Sequence, residues 1–158
     1  MTIENTSMIT YTTGDLLADT APAVVNTVNT GGAMGKGIAL QFREAFPHNY
    51  HQYRLACRNG KLSIGQLLAV RDCNLIYGER LIINLPTKTH WRLPSEYNYI
   101  ETGLTALREF IVTHQLYSLA MPAPGCGNGG LDWAKVRPII ERRLGGLDCH
   151  IIVYEPGN

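Results

Sequence analysis

The sequence predicts an α/β fold whose sheet is covered on both faces, and two observations carry that reading. Short apolar, β-branched runs alternate along the 158 residues with stretches of helical periodicity, the pattern of strands joined by covering helices. Two glycine-rich loops, at 31–37 and 125–130, directly follow strand-like runs. In open α/β sheets, ligands bind beyond the carboxyl ends of strands.

The elements follow in order. MITYT at 8–12 reads as a first strand. Gly14-Asp15-Leu16-Leu17 closes it into a short helical element, with Asp15 as an N-cap or a ligand contact. Ala23, Val24 and Val25 open a buried strand that Asn26, Thr27, Val28 and Asn29 continue. Gly31, Gly32, Gly35 and Gly37 come next, dense enough to bring bare backbone close to a ligand. Ile38, Leu40, Phe42, Ala45 and Phe46 then repeat at helical spacing, with Pro47 as the stop. A second helix is expected over 47–59, ended by Gly60. A strand is expected at 66–70 with a turn at 72–74, and a buried strand at 81–85. The longest helix is expected over 97–114, with Ile100, Leu104, Leu107 and Ile111 on one face. A strand at 116–121, a helix at 133–144 capped by Asp132, and a strand at 149–154 complete the chain.

Composition narrows the function. Apolar content of 45%, charged content of 17% and a formal charge of +1 fit one globular domain with no global field for non-specific nucleic-acid binding. Any nucleic acid must be held by a local site. Cys57, Cys73, Cys126 and Cys149 form no C-x-x-C pair, against a zinc site or a disulfide framework. The start, MTIENTSM, lacks a basic and apolar leader, and no apolar run is long enough to span a membrane. A soluble, reduced, cytoplasmic protein is expected.

The loop at 31–37 opens a helix, and free N–H groups at a helix N-terminus bind anions. Phosphate or pyrophosphate is therefore expected there, a tight ligand-free turn being the bland alternative. It is not a Walker A loop, because Gly35-Lys36-Gly37 has the wrong spacing and no following hydroxyl. It is not a Rossmann fingerprint, because Leu40 stands where the third glycine belongs. The loop at 86–95 holds Lys88, His90, Trp91 and Arg92 between prolines. A tryptophan among cations stacks a base or a sugar, or else the loop is plain surface with Trp91 tucked into the core. Cys126, between Gly125 and Gly127, reads as a small packed residue rather than a nucleophile, since no histidine adjoins it.

Together, Gly14-Asp15-Leu16, the strand end at 26–29, the loop at 31–37 and Gly125-Cys126-Gly127 resemble a macrodomain, the ADP-ribose-binding module, over nearly the whole chain. VVNTVNTGGAMGKGIALQF, LPTKTHWRLPS and PAPGCGNGGLDW most resemble the DNA ADP-ribosyl glycohydrolase antitoxins of DarT/DarG-type systems. The chain is also similar, more distantly, to the terminal ADP-ribose protein glycohydrolase branch. The resemblance implies a three-layer α/β/α fold with a mixed, mostly parallel central sheet, forming a single domain over 1–158. It implies that Asp15 reads the adenine amino group, with the main chain of Leu16 beside the ring. Asn29, Thr30, Gly31, Gly35, Lys36 and Gly37 would surround the distal ribose and its phosphate. Pro124, Gly125, Cys126, Gly127, Asn128, Gly129, Gly130 and Leu131 would form the second phosphate loop.

Lys88 matches the catalytic lysine of the antitoxin group, and Trp91 and Arg92 would contact DNA. The expected partners are ADP-ribose, ADP-ribosylated DNA and a cognate ADP-ribosyltransferase toxin, with no metal, cofactor or membrane. A C-terminal region contacting the toxin commonly follows such a domain. Two features depart from other macrodomains. The common Asn-Ala-Ala-Asn run is Asn26-Thr27-Val28-Asn29 here, and Gly129 stands where the protein-directed lysine branch carries a catalytic aspartate. Lys88 is left with two roles: attack as a neutral amine on a ring-opened anomeric carbon, or electrostatic stabilisation as a cation. A non-catalytic reader of ADP-ribose, and a glycohydrolase acting on ADP-ribosylated protein or O-acyl-ADP-ribose, are the rival functions.

Overall fold

A computed structural model describes residues 8–157, so the reading of the extreme start as leaderless falls largely outside the described residues. Six strands form one sheet in the order β1-β6-β5-β2-β4-β3: β1 (Ile9–Thr12), β2 (Ala23–Asn29), β3 (Leu68–Asn74), β4 (Gly78–Lys88), β5 (Ser118–Pro122) and β6 (His150–Tyr154). All neighbours run parallel except β3, which joins β4 as an antiparallel hairpin. The sheet is therefore mixed and mostly parallel.

Period-2 alternation sorts the strand residues between two helical layers. Ala23, Val25, Ile83, Leu85, Leu119, Met121, Ile151 and Val153 point to one face. There they pack on α3 (Tyr97–His114) and α4 (Trp133–Leu144) through Ile100, Leu104, Leu107, Val136 and Ile140. Val24, Ile82 and Ala120 point to the other face, against Phe42 and Phe46 of the α1 (Gly37–Ala45) segment. Val28, Met34, Tyr53 and Leu62 extend that layer under α2 (Pro47–Arg58). Phe46 ends α1 and begins α2, and Pro47 takes the first position of α2, where its missing N–H costs nothing.

The β3–β4 hairpin differs from the expectation. β3 runs on to Asn74, and the turn falls at residues 75–77. Asn74 sets it there, its Oδ1 accepting the N–H groups of Ile76 (2.7 Å) and Tyr77 (3.0 Å). β4 extends past Leu85 through Pro86 to Lys88, so Lys88 is the last strand residue rather than a loop residue. Pairing with β3 stops at Asn84, and beyond it β4 has a neighbour on one side only, where proline is tolerated. The register with β2 then shifts, Val28 facing Pro86 and Asn29 facing Lys88, with Thr87 as the extra residue.

Candidate functional site

Five parallel strands deliver their carboxyl ends to one rim. The ladder between β2 and β5 covers only Ala23 and Val24, while β2 runs on to Asn29. A cleft of about 960 Å³ lies at that rim. Asp15 and Leu16 come to it after β1, Asn29 and the first glycine loop from β2, and Lys88 from β4. The second glycine loop follows β5, and Tyr154 and Glu155 come from β6.

The first loop is shaped by Asn29, which is only 7% exposed. Its Oδ1 accepts N–H groups from Gly31 (2.9 Å) and Gly32 (3.1 Å), and its Nδ2 donates to the Ala33 carbonyl (2.8 Å). The buried Tyr53 hydroxyl donates to the Asn29 carbonyl at 2.6 Å and to its Oδ1 at 3.1 Å. Burial pushes the Tyr53 phenol well above its ordinary pKa, so it remains a donor. Met34, 1% exposed, anchors the loop from below. Lys36 is the N-cap of α1 and gives no side-chain cap bond. Among the described residues the first-turn N–H groups of Gly37, Ile38 and Ala39 meet no protein acceptor, and all three residues line the cleft. That is an anion cradle at the positive end of a helix dipole.

The second loop faces it. Ala123 N–H bonds the Tyr154 carbonyl, Cys126 N–H the Ala123 carbonyl, Leu131 N–H the Gly125 carbonyl and Gly130 N–H the Gly127 carbonyl. Among the described residues the N–H groups of Gly125, Gly127, Asn128 and Gly129 meet no protein acceptor. Gly125 is held at φ +76°, and a Cβ there would press on Leu131 and Ile100. Beneath Gly129 sits Ser95, 4% exposed, whose N–H bonds the Gly129 carbonyl. A Cβ on Gly129 would overlap the Ser95 hydroxyl and the Gly125 carbonyl. Any side chain at this position would therefore have to displace the loop. Burial, then the Asp132 carboxylate, push the Cys126 thiol up to about 11, which keeps it protonated at neutral pH.

Asp15 caps the 3-10 turn Leu16–Ala18, its Oδ1 accepting the Leu17 N–H at 3.1 Å. It also lies on the cleft wall, so the N-cap and a ligand contact are compatible.

Lys88 stands at the other end. Its carbonyl accepts the Thr30 N–H (3.0 Å), tying its strand to the first loop. Its Nζ donates to the Trp91 carbonyl at 3.3 Å. Partial burial, then the charge of Lys36, hold its amine below the ordinary lysine value. Trp91 is 45% exposed. Arg92 lies 4.6 Å and Lys36 5.8 Å from its ring centre, and His90 stacks on it at 5.7 Å.

The cleft thus gathers thirteen of the expected residues: Asp15, Leu16, Asn29, Gly35, Lys36, Gly37, Lys88, Trp91, Gly125, Cys126, Gly127, Asn128 and Gly129. Thr30, Gly31, Arg92, Pro124, Gly130 and Leu131 do not line it. Thr30 latches the first loop to the Thr89 carbonyl through Oγ1 (3.1 Å), and Leu131 supports Gly125. Tyr154, Glu155, Pro156 and Gly157 line the cleft without having been expected there. The Tyr154 hydroxyl donates to Asp19 (2.6 Å), and burial and that carboxylate push it up to about 12. Among the described residues no group of three or more His, Cys, Asp or Glu is placed to hold a metal ion, and no helix is long and apolar enough to cross a membrane.

Comparison with known proteins bears on the family and the fold. The Macro domain family model matches residues 25–140. A DNA ADP-ribosyl glycohydrolase of Thermus aquaticus is 45% identical over 150 residues, which cover 94% of this chain and 41% of that protein. The chain spans about two fifths of the length of the curated relatives it matches. Among solved structures, the macrodomain of Mycobacterium tuberculosis DarG aligns with a TM-score of 0.86 and 42% identity, covering 96% of this chain and 99% of that one. Thermosipho africanus DarTG in complex with ADP-ribose aligns with a TM-score of 0.89 and 32% identity, over 98% of this chain and 43% of that one.

Proposed function

The chain belongs to the macrodomain family, and on that premise we propose that it binds ADP-ribose and releases it from ADP-ribosylated DNA. The reaction would hydrolyse the N-glycosidic bond to a nucleobase, as an antitoxin to a DNA ADP-ribosyltransferase. The observation that carries this reading is the placement of Lys88. Its strand is tied to the first glycine loop through the Thr30 N–H, and it lines a cleft whose other walls are the two glycine loops, Asp15 and the end of β6.

In this reading the work is divided. The first turn of α1 and the loop after β5 hold the two phosphates, and Asp15 accepts from the adenine amino group. The distal ribose then lies toward Asn29 and Lys88. The overall change is one water added across the glycosidic bond, giving the free base and ADP-ribose. By one route the ribose ring opens, the neutral Lys88 amine adds to the anomeric carbon, the base leaves that carbon with the amine's proton, and water hydrolyses the resulting imine to ADP-ribose and the free amine. By the other, the charged amine stabilises the departing base and its proton while water attacks. A fully solvated lysine has a pKa of about 10.4, and the lowering at Lys88 enlarges the neutral fraction that the first route uses. Gly129 leaves Lys88 without the aspartate partner of protein-directed relatives, which favours DNA over protein substrates. As part of the same proposal the protein works in the cytoplasm, where it would meet a DNA substrate.

The test is a substrate panel. ADP-ribose release from an ADP-ribosylated oligonucleotide, abolished in Lys88→Ala, is the expected result. Release only from ADP-ribosyl-glutamate peptide would replace DNA by protein as the substrate. Binding of ADP-ribose without turnover on either would make the domain a reader.

A further inference from the structure

Away from the cleft and one neighbouring surface, most cations of this chain are matched, and Lys135 lies over the Tyr97 ring. Arg71, Arg137, Arg142 and Arg143 are held in ion pairs with Glu79, Glu141, Glu155 and Glu101. Arg80 and Arg108 donate to backbone carbonyls. The exposed Arg43, Arg54, Arg58 and Lys61 make no ion pair among the described residues. Residues 31–70 carry five Lys or Arg against one carboxylate, Glu44, a local charge of +4 in a chain that nets +1. α2 has no acidic residue at all, and Asp72 meets only its N-terminal end, accepting the Asn49 N–H. Arg54 and Arg58 are four apart on the helix and repel one another. Arg43 and Arg54 both stack on the Tyr50 ring, at 4.7 and 5.6 Å, rather than finding a carboxylate.

This surface continues from the cleft mouth. A Cβ at Gly31 would lie 4.0 Å from the His90 ring, and one at Gly32 would lie 3.5 Å from Cys57 of α2. Cys57 shares a helix face with Arg54, three residues before it. The glycine loop thus lies between two groups of cations. Lys36, Lys88 and Arg92 stand around Trp91 on one side, and the cations of α2 stand on the other.

We propose that Arg54, Arg58 and Lys61 form a track for the phosphodiester backbone of the DNA strand that carries the modified base. The proposal rests on the DNA glycohydrolase reading above. A base whose ADP-ribose fills the cleft is out of the stack, so its strand meets the protein unpaired. Lysine and arginine free of carboxylates bind such a backbone through its phosphates. Free ADP-ribose, held in the cleft, does not reach this track.

The experiment compares wild type with the triple variant Arg54→Gln, Arg58→Gln, Lys61→Gln. Three ligands are titrated at several salt concentrations: free ADP-ribose, an ADP-ribosylated trinucleotide, and a long single-stranded oligonucleotide with one ADP-ribosylated base. Each phosphate contact on a single strand contributes about 0.7 to the slope of log K against log salt, so three lost contacts make the slope shallower by about 2. The expected result is that loss for the long oligonucleotide alone, with ADP-ribose and trinucleotide affinities unchanged. Arg54→Lys with Arg58→Lys, which keeps both charges, should retain the wild-type slope. A triple variant that binds ADP-ribose normally and keeps the wild-type slope on the long oligonucleotide overturns the proposal. So does one that binds the oligonucleotide normally but no longer binds a DNA ADP-ribosyltransferase, since α2 would then be a protein-docking face. Release of ADP-ribose, followed in the same samples, separates the two claims. Salt-dependent binding through α2 without any release sinks the hydrolase reading and leaves the track standing.

Discussion

The Lys88 amine donates to the carbonyl of Trp91, three residues further on, at 3.3 Å. One hydrogen bond thus ties the residue proposed for chemistry to the residue proposed to meet the base. The bulge at Thr87 precedes it, and the register shift there pairs Lys88 with Asn29, the residue that opens the first glycine loop.

The two routes through Lys88 have opposite pH signatures. Its pKa is lowered, so its neutral fraction rises at lower pH than that of an ordinary lysine. If the neutral amine is the nucleophile, kcat rises with pH through the depressed pKa and then levels. If the cation acts electrostatically, kcat falls through the same pKa. Lys36→Gln removes the second cause of the depression and should move the inflection to higher pH in either case. Lys88→Arg, charged at all accessible pH, retains turnover only by the electrostatic route. Single-turnover rates across pH at saturating substrate decide between them, and an inflection unmoved by Lys36→Gln would detach it from Lys88.

Asp15 has two jobs, and two substitutions separate them. Asp15→Ala loses both the cap on the Leu17 N–H and the proposed acceptor for adenine. Asp15→Asn keeps the cap through its amide oxygen but offers a donor where a second acceptor stood. Both should weaken ADP-ribose by about 1.5–3 kcal/mol, the worth of a hydrogen bond to a charged group. Only Asp15→Ala should also lower thermal stability. Calorimetry showing unchanged affinity in Asp15→Asn would leave Asp15 as a cap alone.

How much of this was legible in the sequence depended on whether the signal was local. The strand at 23–29, the longest helix and the Asp132 cap rest on near-neighbour patterns, and the structure has all three. Pro86 reads locally as a strand end, yet β4 continues because pairing on one side has already stopped. Tyr154 and Glu155 carry no glycine or cation signature. They reach the cleft only because β6 lies parallel beside β5, a consequence of sheet order. The position of Asn29 pointed to a ligand, but its tethering of the loop depends on Tyr53, 24 residues away.

That tether is itself testable. Tyr53 is fully buried and its hydroxyl donates to the Asn29 carbonyl and side chain. Tyr53→Phe keeps the ring and takes the hydroxyl donor from the Asn29 carbonyl, while Oδ1 keeps its bonds from Gly31 and Gly32, at a cost of about 1–3 kcal/mol. At this chain length that lowers the Tm by roughly 3–10 °C. The loop should loosen as well, so ADP-ribose affinity should fall although Tyr53 touches no ligand. A lower Tm with unchanged affinity would mean that the loop is held without this bond.

Cys126 sits on the cleft wall with its thiol held up at about 11. Its Sγ points to the Pro124 carbonyl at 3.6 Å, not to a base. Cys126→Ala should therefore keep most of the turnover, and thiol alkylating reagents should react slowly at neutral pH. Loss of turnover with intact ADP-ribose binding would make the thiol a participant.

The two glycine loops need glycine for different reasons, and an acidic substitution in each shows it. Gly35 has open space where a Cβ would go and no left-handed backbone to strain. Gly35→Glu should fold with a near-normal Tm and place a carboxylate beside the α1 N-terminus, where the ligand phosphate is proposed to sit. ADP-ribose binding should then be lost through like-charge repulsion and occupied volume, and retained binding would make the loop an ordinary turn. Gly129 has no such space, since a Cβ there overlaps Ser95 and the Gly125 carbonyl. Gly129→Asp, the change toward protein-directed relatives, should push the loop off Ser95, break the bond from the Ser95 N–H to the Gly129 carbonyl, and lower both the Tm and the affinity. It should not create release from ADP-ribosylated protein, because the displaced loop carries the aspartate away from Lys88. Adding Ser95→Gly removes the hydroxyl but leaves the Gly125 carbonyl in place, so the double variant should regain only part of the lost stability. Protein-directed turnover in Gly129→Asp would show that the loop gives way cheaply and that one residue separates the two substrate classes.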